Sequence, residues 1–83
     1  MVEQGGADAQ YLVALMYSLG RGVQQDYVQA HMWLSLAASR SAGERRESRI
    51  QVRDRTANRM TPTQIAEAQR LAREWDAAHP RDP

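Results

Sequence analysis

Between Ala7 and Ala38, small residues at Ala9, Ala14, Ala30, Ala37 and Ala38 recur at helical spacings among Val13, Met16, Tyr17, Trp33 and Leu36. The run is interrupted in its middle by Gly20-Arg21-Gly22-Val23 and then Asp26. Small side chains on facing helices let two backbones approach closely, and a Gly-x-Gly connection supplies the positive φ angles that a tight helix-to-helix return needs. The segment therefore reads as two helices folded back on each other. It is a packing unit, and nothing in it points to catalysis.

The combined run of Ala9, Val13, Ala14, Tyr17, Gly20, Gly22, Val23, Asp26, Ala30, Trp33, Leu34, Ala37 and Ala38 resembles the Sel-one-like repeat family. These are relatives of the tetratricopeptide repeats, built from α-hairpins of roughly 36 residues. The stretch from Arg53 to Trp75 is also similar to a segment that closes bacterial members of that family. Gln24 stands where Pro is common, Ala14 where Gly is common, and Ser41 where a Gly usually follows the second helix. These departures touch loop detail. The resemblance implies an all-α fold of the α/α-solenoid type and a scaffolding or adaptor role through contact with other proteins.

Four helices are expected. The first runs from about Ala7 to Leu19 and is apolar almost all the way round, with only Gln10 and Ser18 polar in its interior. Such a helix is expected to be covered on every side. One stripe, Ala9, Val13, Met16 and Tyr17, is assigned to the second helix, and the other, Tyr11, Leu12, Leu15 and Leu19, needs a different neighbour. Helix two should start at Asp26 as N-cap with Gln29 as its reciprocal partner, end near Ser39, and use Trp33 as its anchor. Helix three, from Gly43 to Arg59, has a thin apolar edge of Ile50, Ala57 and Met60. Helix four has a capping signature: Thr61 at the cap, Pro62 at the first position, Gln64 closing the box, and Met60 placed to staple Ile65. Its stripe is Ile65, Ala68, Leu71, Ala72 and Trp75. The expected organisation of residues 1–83 is a single small domain: a repeat at 7–38, a C-terminal helical hairpin at 43–78 acting as a cap, and a disordered tail at 79–83.

With no cysteine, disulfides, thiolate metal sites and thiol nucleophiles are excluded. His31 and His79 are far apart and form no metal-ligand spacing, so no metal and no cofactor is expected. His31 reads as a helix-surface residue beside Met32 and Trp33. The serines lack a Gly-x-Ser-x-Gly setting, and Gly20 and Gly22 lack the third glycine and preceding strand of a nucleotide fingerprint. No enzyme activity is expected. The apolar run from Tyr11 to Tyr17 falls far short of the ~18 residues that would suggest a membrane span. The start has neither the basic nor the apolar region of an export signal. A soluble bacterial protein of either cytoplasm or periplasm fits.

Two surfaces carry functional expectations. The second stripe of helix one is either covered by helix three or four, with Trp75 or Ile65 as the lid, or it is an interface for a protein or peptide partner. In the latter case Tyr11, Leu12, Leu15, Ser18 and Leu19 make the contact, with Tyr11 as the aromatic anchor. The alternative occupant is a second copy of the chain, giving a homodimer with no foreign ligand. The other surface is arginine. All eleven basic residues are arginine, net charge is only +1, and seven arginines fall between Arg40 and Arg59. Arg46, Arg49 and Arg53 are spaced to share one side of helix three and could grip nucleic-acid phosphates. No aromatic residue interleaves with them, so pairing with Glu44, Glu47, Asp54 or helix-four acids is the favoured reading over nucleic acid.

Overall fold

The computed structural model of the chain describes residues 6–80, which form α1 (Ala7–Leu19), α2 (Tyr27–Ser39), α3 (Gly43–Ala57) and α4 (Pro62–Ala78). The expected tail residues 81–83 lie outside the described residues.

Local chemistry accounts for the ends. Gly20 closes α1 at φ 68° with its N–H bonded to the Met16 carbonyl, and Gly22 follows at φ 75°. A Cβ on Gly20 would lie 3.3 Å from the Cβ of Gln25, so both the backbone angle and the space call for glycine. Asp26 caps α2 by accepting from the Gln29 N–H at 3.1 Å. Its own N–H donates to the Tyr17 carbonyl at 3.0 Å, which ties the second helix to the end of the first in place of a reciprocal bond from Gln29. The capping box of α4 has both bonds: Gln64 N–H to Thr61 Oγ1 at 3.1 Å and Thr61 N–H to Gln64 Oε1 at 2.9 Å.

The packing is arranged around α2. The extensive helix-to-helix contacts are α1 on α2, α3 on α2 and α4 on α2. Ala30, His31, Met32, Leu34, Leu36, Ala37 and Ala38 are all buried, so α2 is covered around its whole circumference. The two C-terminal helices thus share a floor: each docks on α2 more than on the other.

On the α4 side, Met32 and Leu36 meet Ala72, with Trp33, Leu71 and Trp75 packed against them. Trp33 and Trp75 meet edge to face, 5.6 Å between centroids at 70°, a geometry worth about 0.5–1.5 kcal/mol beyond the area it buries. Trp33 anchors α4 through this contact. Arg40, at the end of α2, locks the same corner. Its guanidinium lies 2.7 Å from the Asp76 carboxylate, 4.9 Å over the Trp75 ring, and donates to the His79 carbonyl at 3.2 Å.

Several expectations need correction. Trp75 meets Trp33 on α2, so it is no lid for α1. His79, placed in the tail by the sequence, is the C-cap of α4, its ring stacked on Trp75 at 4.0 Å and its Nδ1 2.9 Å from the Trp75 carbonyl. His31 is not at the surface. It is 4 % exposed, and its Nδ1 has no hydrogen-bond partner among the described residues. Burial holds its pKa below the usual 6.5, the charge of Arg53 pushes the same way, and Asp54 opposes them.

Because the folded state resists protonating His31, its neutral form supports stability fully above pH 6.5 and that support is lost as pH falls below it. Urea midpoints should therefore fall on acidification through this range in the native chain and fall less in His31→Leu; equal slopes would contradict the buried placement. Gly20→Ala should lower unfolding stability by about 1–2 kcal/mol, the left-handed penalty for a residue with a Cβ, and an unchanged denaturation midpoint would show that the turn can be made another way.

Candidate functional site

The covering of α2 decides which side of α1 is left open. Successive residues of a helix step by about 100°, so Gln10 and Ala14 share a face with Tyr17, and Leu12, Met16 and Leu19 lie together on the opposite one. Gln10 and Ala14 are the buried residues of α1. The Gln10 amide is enclosed with neither its oxygen nor its nitrogen hydrogen-bonded among the described residues. Across the helix, Leu12 is 57 % exposed, Met16 40 % and Leu19 61 %. Ala9 and Leu15, half-buried, border this stripe on its two sides.

The five side chains assigned to a partner on sequence grounds are therefore split. Leu12 and Leu19 stand open, whereas Tyr11, Leu15 and Ser18 are half-buried at the flank. The Arg49 guanidinium of α3 sits 5.1 Å over the Tyr11 ring and accounts for part of that cover. Met16, assigned to the hairpin seam with Ala9, Val13 and Tyr17, belongs to the open stripe instead. The other three of that seam are half-buried. A helix that is apolar all round does not announce its phase, so the exposure of Met16 had no sequence signal.

The arginine row is likewise divided. Arg49 is 7 % exposed and works inside the fold: its Nη2 lies 2.5 Å from Asp8 at the start of α1, and its Nη1 donates to the Ser41 hydroxyl in the connection after α2. Ser41 in turn donates to the Ala37 carbonyl at 2.6 Å. One guanidinium thus fastens α3 to α1 and to the end of α2. Arg45 adds a longer approach to Asp8, 3.8 Å. Arg53 is half-buried and pairs with Asp54 at 3.2 Å, while Arg46 is exposed with no ion pair among the described residues. The row does not form a common cationic face. No group of three or more His, Asp or Glu side chains is arranged to hold a metal ion among the described residues, and among them no helix is long and apolar enough to cross a membrane.

The hydrogen bond from Arg49 holds the Asp8 carboxyl below its ordinary 3.8; the charges of Arg45 and Arg49 add to this, and desolvation works against it. A carboxylate lowered by folding supports stability above its unfolded value and withdraws that support as pH falls through the folded one. Below pH 3.8 the native chain should therefore lose stability more steeply than Asp8→Asn, as read by thermal melts. Arg49→Met should lower the melting temperature at neutral pH; a variant melting like the native chain would show that the clasp holds nothing.

No curated protein and no solved structure matches the chain. Residues 7–41 match the sequence model of the Sel1 repeat, and they comprise α1, its glycine turn, α2 and the Ser41 that Arg49 engages. That family is a non-catalytic helical repeat scaffold whose repeats generally mediate protein–protein interaction. The match falls on the hairpin of α1 and α2, which is thus similar to a Sel1 repeat, and α3 and α4 lie outside it.

Proposed function

We propose that this chain is a non-enzymatic interaction module that binds a protein or peptide segment on the outer face of α1. The observation that carries the reading is the stripe of Leu12, Met16 and Leu19, three large apolar side chains left in solvent on a domain of 83 residues. Apolar side chains grouped in this way mark contact sites more often than scattered ones do. Met16 is well suited to the task, because its unbranched thioether adapts to partners of different shape. Tyr11 and Leu15, half-buried beside the stripe, supply a rim that a bound segment covers further.

The stripe is separate from the side of α1 that holds the hairpin together, so binding and folding can be disrupted independently. Selection of a random peptide display library on the immobilised chain should enrich apolar helical sequences. Leu12→Arg with Met16→Arg should remove that enrichment and leave the thermal melt within about 0.5 kcal/mol of the native chain, as surface changes usually do. Collapse of the melt would place the stripe in the core. A native chain that sediments as a dimer at all salt concentrations, with the double variant a monomer, would assign the face to self-association instead.

A further inference from the structure

The open stripe ends at Leu19, and there it meets a second feature. The last turn of α1, the connection into α2 and the C-terminal end of α3 enclose a groove of about 350 Å³. One part of its lining is apolar, from Leu19 and Val52; another is cationic, from Arg55 in the last turn of α3 and Arg59 in the turn that follows. Both arginines are exposed, and neither forms an ion pair among the described residues. Arg40 and Arg49, the arginines that fasten helices together, each hold a carboxylate. No acidic residue lines the groove.

The remaining wall is held in place. Gln25 donates from its Nε2 to the Ser18 carbonyl at 2.9 Å and to the Tyr27 hydroxyl oxygen at 3.2 Å. Tyr27 accepts in that bond, which leaves its O–H to donate to a ligand. The groove thus offers two guanidinium forks and a phenol donor beside an apolar patch, and no acceptor of negative charge to balance them. Its volume is at the small end of ligand sites, roughly 300–1,000 Å³, enough for a few side chains and not for a helix.

We propose that this groove receives a short acidic and apolar peptide segment, its carboxylates held by Arg55 and Arg59 and an adjoining aliphatic side chain laid on Leu19 and Val52. Arginine matches a carboxylate in a two-bond geometry, and such charge-assisted bonds are the strong ones. A nucleic-acid backbone would satisfy the guanidinium groups but leave the Leu19 and Val52 surface without a counterpart. The inference rests on the reading of α1 as a protein-docking face, since Leu19 is common to both, and it adds the chemistry of the partner.

The test is fluorescence anisotropy on the full chain with a short fluorescein-labelled peptide alternating leucine and glutamate, set against the same peptide with glutamine. The acidic probe should bind about tenfold or more tighter than the glutamine probe, weaken as salt rises, and lose about tenfold on Arg55→Gln with Arg59→Gln. Both positions are exposed, so that variant should melt like the native chain. Equal binding of the two peptides, no binding of either, an unaffected double variant, or tighter binding of a labelled single-stranded oligonucleotide each overturns the proposal. If display-selected peptides bind the chain while the acidic probe does not, the groove proposal fails and the α1 reading stands. A chain that selects nothing from the library yet binds the acidic probe through Arg55 and Arg59 retains the groove and overturns the α1 reading.

Discussion

The packing of all four helices depends on the burial of α2. A chain of 83 residues has little interior to share out, and here it is concentrated around one helix that the other three surround. Ala30, Ala37 and Leu34 are sealed completely, and Leu36 nearly so. Alanines at two of those positions allow the neighbouring backbones to come close. On one side the Trp33–Trp75 contact fixes α4, and Arg40 ties the end of α2 to Asp76 and His79. On another, Arg49 draws α3 against Asp8 and Ser41. Both arginines act at the end of α2, where orphan carbonyls and chain reversal would otherwise leave the helix poorly held.

This arrangement has a consequence for α1. Because α2 is covered by three helices, α1 needs only one side for folding, and its Gln10 and Ala14 side is enough. Leu12, Met16 and Leu19 are then surplus to the interior. α4, whose own apolar stripe could have covered them, is committed to Met32, Trp33 and Leu36. The outer face of α1 is therefore left open to solvent, and its C-terminal end passes directly into the groove bounded by Arg55 and Arg59. An apolar track leading to a cationic groove is a surface with a direction, which a symmetric hydrophobic patch would lack.

Much of the fold was legible in the amino-acid order, because caps and glycines are local signals. Gly20 and Gly22, Asp26, and the Thr61–Gln64 box mark boundaries through bonds made within a few residues. α3 ends at Ala57, two residues short of the expected Arg59, since Asn58 and Arg59 turn away there. What could not be read was phase and partnership. With apolar residues on every side of α1, periodicity alone could not tell that Met16 faces outward and Gln10 inward. His31 sits among apolar neighbours in a helix buried all round, so its own position carried no sign of whether it was in or out. Arg49 could be distinguished from Arg46 only by which carboxylate lay across from it, and Asp8 is 41 positions away in sequence. The groove depends on three separated segments, and nothing in the order of residues marked Arg55 and Arg59 as its lining.

The measurement closest to the centre of this account is native-state hydrogen exchange resolved by residue. If α2 is the element on which the others depend, its amides from Ala30 to Ala38 must open only when the whole chain unfolds, at the full unfolding free energy, while amides of α3 and the last turn of α1 exchange through smaller openings. Amides of α2 that exchange through a lower-energy opening than those of α3 or α4 would show that the domain is not built around that helix, and the reason given for the open face of α1 would fail with it.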